Sequence, residues 1–149
     1  MDYYEQTEKY LLNYFALKIS IENMQKQIKE ISIEDGLTAI KYDGEKIAET
    51  YKTSCPTEKT ATINIIKSDM LNKKINKNKL ILDRIDNAIK ILKKIDQNII
   101  KLRYIEGYQW YAVSSKVSYS QSHCRKKAID AVYKISVALF GEDALKELG

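Results

Sequence analysis

The sequence predicts an all-α protein, and three observations predict it. Glycine and proline number only 5 and 1 in 149 residues, which leaves little of the turn punctuation that a strand-rich fold requires. Apolar residues, 44% of the chain, recur over long stretches at alternating steps of four and three, the spacing of one helical face. Towards the carboxy terminus, helix stop and start signals lie close together: Gly107 suits a C-terminal cap and Ser120 an N-cap. The organisation that follows is a long antiparallel helical hairpin stem over residues 1–95, then a small domain of short helices over residues 96–149.

Residues 3–32 read as the first long helix. Tyr10, Tyr14, Leu17, Ile21, Met24, Ile28 and Ile31 make a heptad seam, widened near its start by Leu11, Leu12 and Phe15. A helix with one apolar stripe must bury it, here against the second long helix or a copy of itself. Residues 33–56 interrupt the pattern as a connector. Asp35-Gly36 and Asp43-Gly44 are turn pairs, and Pro56 disfavours helix at the residue before it. Within this connector LTAIKY and EKIAETY suit either a short hairpin or a short helix. The second long helix, capped by Thr57 or Thr60, runs to about Ile95. It carries two overlapping seams, Leu71-Ile75-Asn78-Leu82-Ile85-Ile89-Leu92 and Ile81-Ile85-Ala88-Leu92-Ile95-Ile99-Leu102. So broad a stripe suits packing against more than one helix. Asn78 either fixes register inside its seam, as buried Asn does in coiled coils, or faces solvent.

Residues 96–140 read as three short helices. Ile99, Ile100, Leu102, Tyr104 and Ile105 pattern the first, which Gly107 closes. Gln109 to Lys116 is the second, with Trp110, Val113 and Val117 at the spacing of one buried face. Val117-Ser118-Tyr119 makes a turn, and the Ser120 hydroxyl is placed to accept from free N–H groups of a third helix. Along that helix Cys124, Ala128, Ala131, Val132 and Ile135 share an apolar side. Gln121, Ser122, Arg125 and Lys126 share the other, with His123 and Lys127 at its margins. This is a helix-turn-helix with the face that a reader of duplex DNA requires. Short polar side chains at the start of the third helix, Gln121, Ser122 and His123, approach base edges in the major groove. Arg125, Lys126, Lys127 and Lys116 then meet phosphates. The plainer alternative is a solvated face, since Arg-Lys-Lys runs commonly mean only that.

The stretch LRYIEGYQWYAVSSKVSYSQSHCRKKAIDAV resembles the carboxy-terminal promoter-reading domain, region four, of bacterial sigma factors. More narrowly it resembles phage late-gene transcriptional regulators of the RinA/ArpU type. Those proteins join long amino-terminal helices to such a domain and carry an L-R-Y-x-x-G-x-x-W pattern, matched by Leu102-Arg103-Tyr104, Gly107 and Trp110. The tight match covers about a third of the chain, and the looser one most of it. Two positions depart: Ser118 stands where the family often has Gly, and Ser114 where it has Ala. A turn residue at positive φ is less favourable without Gly. The resemblance implies a phage or prophage regulator of a low-GC bacterium, bound near a promoter and in contact with RNA polymerase.

Charge is unevenly laid out. Residues 1–56 carry a net −3, residues 57–95 a net +6 and residues 96–149 a net +2, for a total of +5. A basic middle helix attracts polyanions, although a Lys-rich helix also serves as a merely soluble face. Catalysis finds no support. The one histidine, His123, has no second imidazole or Cys pair for a metal site, and no phosphate-cradling glycine loop occurs. No cofactor is expected. Cys55 and Cys124 have no metal-ligand or redox spacing, and Cys124 is expected to pack as a small hydrophobe. MDYYEQTEKY is polar and acidic, unlike a signal peptide, and no apolar run suits a bilayer, so a cytoplasmic protein without membrane partners is expected. Two alternatives to the regulator stand beside it. One is an oligomeric phage DNA-packaging adaptor, a small terminase subunit, self-associating through its helical stem. The other is a helical interaction module that does not bind DNA.

Overall fold

The computed structural model describes residues 2–44 and 56–148, with side chains described over 2–36 and 59–147. The all-α expectation holds: every regular element among the described residues is helical, and none is a strand. The order is α1 (Tyr3–Leu12), α2 (Tyr14–Gly44), α3 (Pro56–Lys90), α4 (Lys94–Ile100), a π-helical turn (Lys101–Ile105), α5 (Trp110–Val117), α6 (Gln121–Phe140) and α7 (Glu142–Leu148). No helix of the described residues is long and apolar enough to cross a membrane.

The chain divides into two compact units, one of Met1–Lys18 with Leu80–Gly149, the other of Ile19–Lys79. In the second unit α2 and α3 run antiparallel, as two polar rungs show. Asn78 Nδ2 donates to Ser20 Oγ at 3.1 Å, and Asn64 Nδ2 donates to Asp35 Oδ1 at 2.6 Å. Ile21 and Ile75 are the buried apolar positions, with Met24, Ile28, Ile31 and Leu71 half-buried along the same seams. Asn78 is half-buried and hydrogen-bonded across the pair, so it does not simply face solvent. A polar rung inside an apolar seam sets register, because any slip strands its amide without a partner.

Several boundaries differ from the sequence expectation. Residues 33–44, expected in a connector, continue α2 as helix through both Asp-Gly pairs. Asp35 has its carboxylate engaged by Asn64 across the helix pair rather than by a local turn. The rest of the expected connector, residues 45–55, lies outside the described residues, as does Cys55. The single first helix is instead two, separated at Asn13. There the Asn13 side chain donates to Lys9 O at 2.7 Å, the local competition with helical bonding that Asn offers. The second long helix stops at Lys90. Gln97 Nε2 donates to Leu92 O at 2.9 Å, satisfying a carbonyl at the break, and the chain restarts as α4.

The first unit is built around α6. Its carboxy-terminal half places Ala131, Val132 and Ile135 against Leu11 of α1, Ile85, Ala88 and Ile89 of α3, Leu92, and Ile100 of α4. Its amino-terminal half places Cys124 and Ala128 against Ile99 and Val113, with Ile95, Leu102, Trp110 and Val117 closing the cluster. Residues 2–18 and 80–95, assigned to a stem by the sequence, therefore share a core with residues 96–148. Aromatic contacts fasten α1 to the end of α6, Tyr3 on Phe140 at 4.9 Å and Tyr4 on Tyr133 at 4.7 Å. Gly141 (φ 66°) ends α6 in a backbone region closed to other residues, and α7 turns back to bury Ala144. Its Glu147 accepts from the Tyr3 backbone N–H at 2.8 Å. Tyr104, on the π turn, donates to Glu8 Oε1 of α1 at 2.8 Å. Burial, reinforced by that carboxylate, pushes its phenol well above the ordinary range.

Candidate nucleic-acid interface

The helix-turn-helix is set by local chemistry. After the π turn, Gly107 takes φ 78°, and Arg103 Nη1 reaches over to donate to Tyr108 O at 3.0 Å. Gln109, in extended backbone, leads into α5. Val113 faces the core fully buried, and Ser118 ends the helix in the left-handed region at φ 60°, ψ 35°. It is the one non-glycine residue with positive φ among those described. Ser114 Oγ donates to Tyr119 O, tying α5 to the turn. Ser120 then caps α6, its Oγ accepting from the His123 N–H at 3.1 Å. Cys124, one turn on, is fully buried, and burial pushes its thiol pKa up.

With Cys124, Ala128, Ala131, Val132 and Ile135 all turned into the two core clusters, the opposite side of α6 is left to solvent. Gln121, Ser122, His123, Arg125 and Lys126 are exposed. The His123 ring leans on Tyr119, with centroids 4.9 Å apart. Lys116 is exposed on the last turn of α5, its ammonium 4.9 Å from the Tyr108 ring. Lys127 is placed differently. It is half-buried, and its Nζ lies 3.5 Å from Oδ1 of the buried Asp96 on α4. That oxygen has no hydrogen-bond partner, so the ammonium is what compensates the carboxylate. Of the seven side chains proposed from sequence to meet DNA, six are therefore exposed, while Lys127 is half-buried and ion-paired with Asp96.

A family described as proteins of unknown function, DUF722, matches residues 3–137, almost the whole chain. The chain belongs to the DUF722 family. No curated protein and no solved structure matches it.

The structure also adds side chains to this face of the DUF722 fold that sequence reasoning left out. Trp110, read from its spacing as a core residue, is only half-buried. The guanidinium of Arg103 lies 4.9 Å from its ring centroid and that of Arg125 lies 5.9 Å away. Helical periodicity places Arg125 correctly on the outer side of α6. Arg103 falls on a π turn, where the extra residue per turn rotates side chains off the α-helical wheel. Its place beside α6 therefore follows from no periodic count.

Proposed function

We propose that this protein is a sequence-specific DNA-binding transcriptional regulator that reads duplex DNA with α6. One observation carries the reading. The amino-terminal turns of a helix buried on its other side present Gln121, Ser122 and His123 beside Arg125 and Lys126, with Lys116 on the last turn of α5 and all six side chains exposed. A groove-bound helix needs that division: short hydrogen-bonding groups at its start to meet base edges, cations a turn later to meet phosphate. The resemblance to sigma region four and to RinA/ArpU regulators supports the same reading. It narrows it to a phage or prophage late-gene activator that joins a sigma-like reading domain to a helical hairpin stem, and it adds RNA polymerase as a partner. A salt titration of binding to the DNA upstream of the gene tests the proposal. The full chain binds with a steep salt dependence, and Lys126→Ala weakens binding to every duplex while lowering the slope by roughly one unit. Absence of binding at low salt rejects the reading, and an unchanged slope rejects the role of Lys126.

A second reading rests on a different face. Ile63, Ile66 and Met70, spaced along one side of α3, are each at least half exposed, as suits a self-associating oligomer such as a DNA-packaging adaptor. Light scattering separates the two readings: a stable ring of many subunits favours the adaptor, a monomer or dimer the regulator.

A further inference from the structure

Three cations gather around the loop between the π turn and α5 without a carboxylate partner among the described residues: Arg103, Lys116 and Arg125. Their immediate neighbours are aromatic. Arg103 and Arg125, from different helical segments, lie over the same Trp110 ring, and Lys116 lies over Tyr108. A purely structural cation–π contact needs one cation for one ring. Bringing a second guanidinium to Trp110 adds repulsion between like charges, and no carboxylate among the described residues pairs with either to relieve it. An anion does. The backbone bond from Arg103 Nη1 to Tyr108 O occupies one of five guanidinium donors. It fixes the plane of the fork and leaves the other donors free for a ligand.

We infer that Arg103 and Arg125, both seated on Trp110, form a phosphate clamp that grips the DNA backbone beside the groove occupied by α6. The inference rests on the DNA-binding reading above and extends its footprint to a segment outside the helix-turn-helix. Planar forks match the two free oxygens of a phosphodiester in a bidentate manner that a lysine cannot copy. Aromatic seating holds each fork in place before the ligand arrives, so less side-chain freedom is lost on binding. The clamp also gives a physical purpose to the Arg103, Gly107 and Trp110 spacing. Gly107, at φ 78°, turns the chain so that a residue of the π turn and the first residue of α5 meet.

The test is the salt dependence of duplex binding, followed by anisotropy of a labelled duplex from the upstream region with the full chain. Arg103→Gln removes the charge but keeps a planar amide able to donate to Tyr108 O. Arg103→Lys keeps the charge without the fork. Loss of one phosphate contact lowers the slope by roughly 0.9 and weakens binding about eightfold near ~0.1 M salt. The expected result is that drop for Arg103→Gln, with the slope restored in Arg103→Lys but affinity recovered only in part. A slope for Arg103→Gln equal to that of the unaltered chain, with binding otherwise intact, overturns the clamp and leaves the DNA reading standing. If the unaltered chain binds no duplex, the DNA reading fails and the clamp with it. Circular dichroism of each variant at the assay temperature establishes that the helices are retained. Should Arg103→Gln prove unfolded, Trp110→Phe takes its place: it keeps every charge, so the clamp requires weaker binding at an unchanged slope, and unchanged affinity overturns it.

Discussion

Replacing Ser118 by glycine should make this protein more stable. Ser118 links α5 to α6 at φ 60°, ψ 35°, where the Cβ of an L-residue crowds the backbone at a cost of about 1–2 kcal/mol. The side chain is exposed and forms no hydrogen bond that its loss would break. Glycine removes the crowding but gives the unfolded chain more freedom, a loss of roughly 0.5–1 kcal/mol. With the middle of each range, the difference favours Ser118→Gly by about 0.75 kcal/mol. For a chain of this size that is a rise in Tm of roughly 1–4 °C. Ser118→Val, with a branched Cβ in the same region, should move the midpoint the other way. Trp110 is the sole tryptophan and opens α5, so its emission follows unfolding of the unit that contains the turn. A lower midpoint for Ser118→Gly, or a Ser118→Val protein as stable as the unaltered one, would refute the strain argument.

Other consequences are accessible to the same methods. Lys127→Ala should destabilise the fold by about 1–3 kcal/mol, because it leaves the buried Asp96 carboxylate without its ion-pair partner. Adding Asp96→Asn should recover part of that loss, while the salt slope of DNA binding stays unchanged; a slope lower by one unit would return Lys127 to the phosphate contacts. Ser120→Ala removes the acceptor for the His123 N–H and should cost about 1 kcal/mol in chemical denaturation, a cost absent if the cap is dispensable. In alkali the tyrosines should govern stability. Burial raises Tyr4 and Tyr14 from 10.0 to about 12, with Glu8 adding to the effect at Tyr4 and Asp86 at Tyr14. The unfolded chain then gives up these protons first, so their contribution is complete below pH 10 and lost as the pH rises through about 12. Urea midpoints measured across that window should fall, and less steeply for Tyr14→Phe; a flat profile would show that these phenols ionise alike in both states.

What the amino-acid order determines alone is the set of features governed by near neighbours and by period. The inward faces of α2 and α3, the Ser120 cap, and the Cys124-Ala128-Ala131-Val132-Ile135 back of α6 all follow from spacing, because a helix repeats regularly and a cap acts over three residues. Where helices stop is different. Asn13 and the segment after Lys90 end helices at positions without glycine or proline, and Asp35-Gly36 stays helical where a turn was expected. Asp35 depends on a partner far along the chain, Asn64, while the breaks at Asn13 and after Lys90 carry side-chain bonds to nearby carbonyls, Lys9 O and Leu92 O, that apolar period does not register. The same holds at the interface. Spacing separates the exposed from the buried side of α6, but only the packed fold brings Asp96 to Lys127 and seats Arg103 beside Arg125 on Trp110. Side-chain period is a property of one helix, whereas a charge's partner is chosen by whichever helix packs beside it.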